Sequence, residues 1–301
     1  MRVLVTGAAG YIGSFVSHEL VGAGHDLIAV DNLTDGNVDA LPSSAEFVKI
    51  DIRNEKAMID LCARTQPDAV IHLAGFTLIP PSLADPLLCF ESNVSGTISL
   101  LRAMASTKIG RIVFSSSAAV YGMPIVNPIP ESHDLNPVNP YGRSKLMVEQ
   151  ILHWCRKAYG IRSVSFRYFN VAGASKYLGE SREIETHLLP LLFKAATGER
   201  EPVTVFGNDY PTPDGTPIRD YVHVLDVARA HVLALDWLPE NDVAETINLG
   251  SGRSHSVLEI VHSVERATGV SVRYDVGARR EGDPAFMTAA IEYAESRLGG
   301  Q

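Results

Sequence analysis

The first half of the chain alternates short apolar runs with longer segments of helical periodicity, and this alternation constrains the fold more than any other feature. Runs rich in β-branched residues occur at 3–5, 27–30, 47–50, 69–73, 111–114 and 164–167, and helical patterns at 11–23, 54–65, 85–107 and 141–159. Because these strands are apolar on both faces, they predict a parallel sheet covered by helices on both sides.

A glycine-rich loop follows the first of these strands. Gly7, Gly10 and Gly13 let the backbone turn tightly and bring the start of the next helix close to a bound pyrophosphate. The strand before the loop, the helix after it and Asp31 at the end of the second strand form a dinucleotide-binding context. Asp31 would accept hydrogen bonds from the adenosine ribose and repel a 2′-phosphate, which favours NAD over NADP. The alternative is a cluster of turn glycines beside a strand-end aspartate.

The sequence changes character after about residue 170. Residues 171–220 are irregular around one helix at 186–197, and a helix at 222–238, a strand at 246–249 and a helix at 256–268 follow. We predict an α/β protein with a Rossmann-type, doubly wound parallel sheet in an NAD-binding domain at 1–170, to which segments near 222–249 return. A smaller substrate-binding domain at 171–301 completes the predicted organisation.

A tyrosine and a lysine four residues apart begin the helix predicted at 141–159. The spacing puts Tyr141 and Lys145 on one face, and the serines at 115–117 end the preceding strand. The carboxyl ends of parallel strands are where such sheets bind ligands. A tyrosine base held beside a lysine and a bound nicotinamide predicts redox chemistry at a hydroxyl-bearing carbon. The alternative is an exposed pair on a helix surface.

Net charge, apolar runs and cysteine spacing limit the kinds of partner and cellular environment that the chain can have. The net charge of −9 argues against a broad nucleic-acid or anionic-membrane surface, and no apolar run reaches the about 18 residues of a membrane helix. Cys62, Cys89 and Cys155 are far apart and form no CxxC motif, which predicts a reduced, cytoplasmic protein. The histidines show no metal-ligand spacing, so no metal site is predicted.

Several longer segments resemble the extended short-chain dehydrogenase/reductase family, and within it the UDP-galactose 4-epimerases. They are TGAAGYIGS at 6–14, DNL at 31–33, DIRNE at 51–55, FSSSAAVYG at 114–122, PYGRSKLMVEQIL at 140–152, RYFNVAGA at 167–174, FGNDYPTPDGTPIRDYVHV at 206–224, NLGSG at 248–252 and RREGDPA at 279–285. The segment at 206–224 is the most specific to these epimerases. The resemblance implies an NAD-dependent epimerase that interconverts UDP-glucose and UDP-galactose. Oxidation at C4 to a 4-keto sugar is followed by reduction on the opposite face.

The resemblance also implies roles for individual residues. Tyr141 would be the base, Lys145 would bind the nicotinamide ribose and lower the tyrosine pKa, and Ser117 would orient the sugar hydroxyl. The implied NAD contacts are Gly7, Gly10, Tyr11, Ile12, Gly13, Asp31, Asn32, Asp51, Ile52, Leu73, Ala74, Gly75, Asn93, Ser115, Tyr141, Lys145 and Tyr168. The implied UDP-sugar contacts are Ser117, Asn170, His187, Leu188, Phe206, Arg219, Arg280 and Asp283. Arg219 and Arg280 would clamp the diphosphate, and Asp283 would take the uridine ribose. A homodimer through the helices at 85–107 and 141–159 is also implied.

The chain departs from this pattern in places. Thr77 replaces a lysine near the cofactor phosphates, which predicts weaker retention of NAD. Met287 leaves it undecided whether acetamido sugars are substrates. Ala290 replaces an aspartate, and the ending at 299–301 suggests a shortened C-terminus. Two alternatives therefore remain: a 4-epimerase of UDP-N-acetylhexosamine or UDP-glucuronate, and a catalytically idle NAD-sensing protein. A dehydratase is disfavoured because the stretch at 117–119 carries no carboxylate.

Overall fold

Seven parallel strands form the central sheet of the computed structural model, which describes residues 1–180, 182, 185–199, 202–238 and 243–299. The strands are β1 (Arg2–Thr6), β2 (Asp26–Asp31), β3 (Glu46–Lys49), β4 (Ala69–His72), β5 (Arg111–Ser117), β6 (Arg162–Tyr168) and β10 (Ala244–Leu249). Their order is β10-β6-β5-β4-β1-β2-β3, and every pairing is parallel. The predicted α/β fold with a Rossmann-type parallel sheet is therefore confirmed.

Helices cover both faces of this sheet. They include α1 (Tyr11–Gly22), α2 (Glu55–Thr65), α5 (Gly96–Thr107), α6 (Pro140–Tyr159) and α8 (Val224–Trp237). Successive residues of β1 point to opposite faces, so Val5 packs with Phe15 of α1 and Val227 of α8, whereas Leu4 packs with Leu100 of α5. The apolar character of the strands on both faces thus reflects two separate cores.

The helix predicted at 85–107 is not continuous. It is divided into α4 (Pro86–Phe90), a π-helical turn at Glu91–Ser95 and α5, and the short helix α3 (Ile79–Ala84) precedes it. Hydrophobic periodicity does not distinguish a π-helical turn from an α-helix. Such turns occur frequently at functional sites, and this one carries Asn93.

The region at 171–220 was predicted to be irregular around one helix, and this was wrong in part. Besides α7 (Leu188–Ala196), it contains most of β7 (Asn170–Ala172), all of β8 (Val203–Phe206) and the first half of β9 (Ile218–His223). Further along the chain are β11 (Ser254–Ser256), α9 (Val257–Thr268), β12 (Tyr274–Gly277), β13 (Phe286–Met287) and α10 (Glu292–Leu298). β7, β9, β11 and β13 form one sheet, and β8 pairs with β12. Strands this short carry too few residues for a recognisable alternation of apolar and polar positions.

None of the helices among the described residues combines the length and apolar character needed to cross a membrane.

Candidate active site

The glycine loop between β1 and α1 forms a cradle that side chains would fill. Gly7 has a φ of +70°, and a Cβ atom there would lie 2.5 Å from the backbone nitrogen of Ala74 at the end of β4. A Cβ atom at Gly13 would lie 2.0 Å from the carbonyl oxygen of Gly7. Gly10 caps α1 without a side-chain hydrogen bond, so no capping side chain occupies the backbone N–H groups of the first helical turn, at Tyr11 and Ile12, and they can bind an anion.

Asp31 ends β2 beside this cradle. Its side chain is buried, and its two carboxylate oxygens accept hydrogen bonds from the backbone nitrogens of Ala9 (3.0 Å) and Leu33 (2.8 Å). Burial raises the pKa of Asp31, while these hydrogen bonds oppose the shift. Each carboxylate oxygen accepts more than one hydrogen bond, so the group retains acceptor capacity for ribose hydroxyls.

Three of the predicted NAD contacts, Asn32, Asp51 and Ile52, lie next along the sheet edge. The amide of Asn32 donates to Oδ2 of Asp51 (3.1 Å). The guanidinium of Arg53 donates to both carboxylate oxygens of Asp51, from Nε to Oδ1 (2.9 Å) and from Nη2 to Oδ2 (2.8 Å). The hydrogen bonds from Arg53 hold the pKa of Asp51 well below its usual range. Ile52 is buried, and a Cβ atom at Gly96 would lie 2.7 Å from its Cδ1 atom.

The loop after β4 is fixed from two sides. The backbone nitrogen of Leu73 donates to the carbonyl of Thr6 (3.0 Å). The buried amide of Asn93 accepts from the backbone nitrogen of Phe76 (2.6 Å) and donates to its carbonyl (3.0 Å). A Cβ atom at Gly75 would lie 2.8 Å from Asn93 Oδ1 and 3.7 Å from Lys145 Nζ. Only a glycine at this position lets the loop pass so close to both side chains.

Tyr141, Lys145 and Ser117 come together at the carboxyl end of β5. Pro140 is the first residue of α6, and the capping side chain of Asn139 accepts from the backbone nitrogen of Gly142 (2.8 Å). Lys145 Nζ lies 5.7 Å from the centre of the Tyr141 ring and donates to the carbonyl of Ser115 (2.7 Å). Ser117 forms a side-chain hydrogen bond with Tyr141.

Burial shifts the pKa values of Tyr141 and Lys145. It raises the pKa of Tyr141 above the ordinary value of 10, opposed by the hydrogen bond with Ser117 and by the charge of Arg182. Burial also lowers the pKa of Lys145 to about 8. A phenol in this setting needs further positive charge beside it before it acts as a base near neutral pH.

Tyr168 ends β6 on the other side of Ser115, with which it forms a side-chain hydrogen bond. Its hydroxyl lies 2.6 Å from Nε2 of the fully buried His231, whose Nδ1 lies 2.7 Å from the carbonyl of Val227. A carbonyl only accepts, so Nδ1 carries the proton and Nε2 accepts from Tyr168. Burial raises the pKa of Tyr168 strongly, which keeps its hydroxyl a neutral donor.

Four of the predicted UDP-sugar contacts form a second cluster. A guanidinium nitrogen of Arg219 on β9 pairs with a carboxylate oxygen of Asp283. The backbone nitrogen of Asp283 donates to the carbonyl of Arg280 (3.2 Å), and the guanidinium of Arg280 lies 3.9 Å from the centre of the Phe206 ring. Burial lowers the pKa of Arg280. Two cations, a carboxylate and an aromatic ring thus lie together.

The other predicted substrate residues lie on different elements. Asn170 is exposed at the start of β7, which pairs with β9, and Leu188 is the first residue of α7. His187 is exposed, and its Nδ1 lies 2.7 Å from Glu185. With Glu180 these two residues bring three possible ligand atoms within 4.8 Å of one another, although no metal was predicted. Acidic groups cluster in this way without an ion in many proteins, and we assign none.

Comparison with known proteins identifies the family. The model of the NAD dependent epimerase/dehydratase family matches residues 3–250. The chain belongs to this epimerase/dehydratase family. It is 43% identical to the UDP-glucose 4-epimerase of Lacticaseibacillus casei, over 99% of this chain and 91% of that protein. It is 41% identical to that of Corynebacterium glutamicum, over 99% of this chain and 90% of the relative.

Solved structures of UDP-glucose 4-epimerases have the same fold as this epimerase/dehydratase chain. The enzyme from Brucella ovis, solved with NAD, superposes with a TM-score of 0.96 at 44% identity, over 99% of this chain and 92% of that one. The enzyme from Bifidobacterium longum, solved with NAD+ and UDP, gives a TM-score of 0.94 at 38% identity, with the same coverage of both chains.

Sequence reasoning missed a buried charged network beneath this epimerase/dehydratase site. Glu149, one helical turn after Lys145, accepts from Ser116 (2.5 Å) and pairs with Arg167 of β6 (2.8 Å). Arg167 also donates to the hydroxyl of Tyr121 (3.0 Å). Both charged side chains are almost fully buried. The available signal was an arginine within an otherwise buried strand, since an arginine there requires an acidic partner.

Proposed function

We propose that this chain interconverts UDP-glucose and UDP-galactose by inverting C4 of the hexose, with NAD as its cofactor. The observation that carries the proposal is the meeting of Tyr141, Lys145 and Ser117 at the carboxyl end of β5. This trio lies beside a glycine cradle in a chain 41–44% identical to proteins named UDP-glucose 4-epimerase.

The residues around the cradle fit a dinucleotide. Close backbone packing at Gly7 and Gly13 and the uncapped start of α1 suit a pyrophosphate, and Asp31 suits the adenosine ribose. Asp51 and Ile52 would line the adenine, and Asn32 would add a further contact to the cofactor. Further contacts would come from Leu73, Ala74, Gly75, Asn93, Ser115, Tyr141, Lys145 and Tyr168. When bound, NAD would accept hydride from C4 of the sugar and return it.

Tyr141 is the proposed base for the C4 hydroxyl. Its phenolate would take the hydroxyl proton as the 4-keto sugar forms, and the phenol would return it when C4 is reduced on the opposite face. Lowering a tyrosine pKa from 10 to about 7 requires about 4 kcal/mol. We assign this stabilisation to the ammonium of Lys145 and to the positive nicotinamide ring. Ser117, hydrogen-bonded to Tyr141, would orient the sugar hydroxyl.

The second cluster is the proposed nucleotide site. Arg219 and Arg280 would clamp the diphosphate, because paired guanidinium groups match its oxygens. Asp283 would accept hydrogen bonds from the uridine ribose, and Phe206, Asn170, His187 and Leu188 would line the remaining surface. The nucleotide would stay anchored while the 4-keto sugar turns between the two faces.

We extend the proposal to the organisation of the chain. The domain boundary is placed near residue 170, with 222–249 returning to the first domain, as the pairing of β10 with β6 supports. A homodimer through 85–107 and 141–159 is supported by the exposed side chains of Leu87 and Trp154 on those segments. We place the protein in the cytoplasm with its three cysteines reduced, and without a nucleic-acid partner.

The function is tested by incubating the full chain with a panel of UDP-hexoses and UDP-glucuronate, with and without added NAD. We expect UDP-glucose and UDP-galactose to interconvert faster than the acetamido and uronate sugars. Turnover confined to UDP-N-acetylhexosamine or UDP-glucuronate would reassign the substrate. NAD binding without turnover of any UDP-sugar would favour a sensing protein.

The role of Tyr141 is tested by Tyr141→Phe. Removing a general base lowers the rate by about 10²–10⁴-fold, and we expect kcat to fall by at least about 100-fold with UDP affinity unchanged. Tyr159→Phe, at the exposed far end of the same helix, is the matched control and should behave as the wild type. Near-normal epimerisation by Tyr141→Phe would contradict the mechanism.

A further inference from the structure

Arg182 is a largely buried cation that the proposed mechanism does not use. Its side chain is 13% exposed, and its Nη1 donates to Oγ1 of Thr77 (3.3 Å). Its Nε is buried and has no hydrogen-bond partner among the described residues. Among the described residues its ionic partner is Glu180, whose carboxylate lies 4.0 Å from its Nη2. A buried guanidinium with an unused donor is costly unless a ligand completes it.

The position of Arg182 points to the dinucleotide. Thr77 belongs to the loop after β4, whose residue Ala74 packs against Gly7 of the cradle. On the opposite side, the hydroxyl of Tyr11 donates to the carbonyl of Gly173 (2.6 Å), so the chain that leads to Arg182 passes across the start of α1. Its guanidinium therefore lies beside the loop that packs against the cradle, and its charge also acts on Tyr141.

The two segments that form the cradle, α1 and the loop at 73–77, bring no cation of their own to it. The sequence of α1 contains no lysine or arginine, and the loop residues at 73–77 are all uncharged. The other arginines expected to bind phosphate, Arg219 and Arg280, lie in the nucleotide cluster with Asp283. Helix dipoles and backbone N–H groups bind phosphate, and a guanidinium adds charged, directional donors.

We propose that Arg182 binds the diphosphate of the dinucleotide cofactor and supplies the charge that Thr77 lacks. The loop at 73–77 and Arg182 then act as one site, in which Thr77 Oγ1 orients the guanidinium and the free donors face the phosphate oxygens. Sequence reasoning predicted weak retention of NAD from Thr77 alone, and a cation supplied by a distant segment removes the basis for that prediction. The inference rests on the proposed use of NAD.

The test compares Arg182→Gln and Arg182→Lys with the wild type. The amount of NAD that co-purifies with the full chain is measured first, and calorimetry then gives the dissociation constants for NAD, ADP-ribose and UDP. A charge-assisted hydrogen bond predicts that Arg182→Gln weakens both NAD and ADP-ribose by about tenfold or more. The UDP affinity of Arg182→Gln should stay within about twofold of the wild-type value. The NAD affinity of Arg182→Lys should lie between those of the wild type and Arg182→Gln. Arg102→Gln, an exposed arginine on α5, controls for the change in net charge.

Each other pattern overturns the assignment. NAD affinity unchanged in Arg182→Gln would show that the guanidinium does not bind the cofactor. A loss for NAD but not for ADP-ribose would place its effect at the nicotinamide end, and an equal loss for UDP would indicate a nucleotide contact or a damaged fold. The proposed function is tested independently of this assignment. If the wild type binds NAD but epimerises no UDP-sugar, the proposed function is wrong, and the comparison of NAD affinities still tests the role of Arg182.

Discussion

The two parts of the site are held in place by different chemistry. The cofactor side lies at the carboxyl ends of parallel strands of four to seven residues, and the pair of Glu149 and Arg167 is buried beneath it. The nucleotide side lies on strands of two to six residues, and its pair of Arg219 and Asp283 remains partly exposed, with 27% of the aspartate side chain accessible. On the first side the ion pair belongs to the core, and on the second it belongs to the binding surface.

This contrast extends to the buried carboxylates of the two sides. Glu149 is neutralised by a guanidinium, whereas the donors to the fully buried Asp220 of β9 among the described residues are all neutral: the backbone nitrogens of Ser251, Gly252 and Ala289 and the hydroxyl of Ser251. These hydrogen bonds hold Asp220, the residue after Arg219 on β9, in place without a counter-ion among the described residues. We infer that breaking the buried pair lowers stability more than affinity, and that breaking the surface pair lowers affinity more than stability.

The largest expected effect is that of Arg167→Met. The substitution leaves Glu149 buried without its cation, and breaking a buried pair in this way costs about 3–5 kcal/mol. Chemical denaturation should therefore show a loss of that size in the free energy of unfolding, together with lower activity because α6 carries Tyr141 and Lys145.

A double variant sharpens this result. Combining Arg167→Met with Glu149→Leu removes both charges, and apolar replacement of a whole buried pair is often neutral or stabilising. We expect the double variant to recover a substantial part of the stability lost in Arg167→Met. If Arg167→Met has the same free energy of unfolding as the wild type, the buried pair does not stabilise the fold.

The sequence predicted the cofactor side well because its signals are local. Strand periodicity, the glycine spacing and the pairing of Tyr141 with Lys145 each lie within a few neighbouring residues, and the predicted strands are found within three residues of their expected ends. What it missed depends on distant partners. The bond between Arg182 and Thr77 joins residues 105 apart in the chain, and no local pattern encodes such a contact.

The nucleotide side was harder for the same physical reason. Its strands are too short for periodicity, and Arg219 and Asp283 are 64 positions apart. The residues themselves were named from family resemblance, whereas their mutual pairing appeared only in the structure. The π-helical turn that carries Asn93 was also invisible, because the apolar pattern at 85–107 continues through it.

An intermediate effect is expected from the titration of Lys145. Its pKa is lowered to about 8 from an ordinary value of 10.5. Between these values the unfolded chain binds the proton more strongly than the folded chain, so stability rises with pH. The cost of burying the charge is fully present below pH 8. Relative to Lys145→Met, the wild type should gain up to about 1.4 kcal/mol per pH unit across this window.

The measurement is urea denaturation of both proteins at several pH values between about 8 and 10, without added nucleotide. Subtracting the variant removes the contribution of every other titrating group that the two chains share. A difference that stays flat across this range would mean that the pKa of Lys145 is not lowered in the folded protein, because both states would then bind the proton equally.

The smallest stability effect is expected from Asp283→Asn, which tests the surface pair. Its partner Arg219 keeps a hydrogen bond to the carbonyl of Ile218 (2.7 Å), and the aspartate is partly exposed, so the loss in unfolding free energy should be about 1 kcal/mol or less. UDP affinity should fall by about tenfold, because an amide replaces a charged acceptor for the ribose hydroxyls. NAD affinity, measured in the same protein, should not change. A stability loss as large as that of Arg167→Met would erase the distinction between the two sides, since the nucleotide pair would then be as much a part of the core as the pair beneath the cofactor.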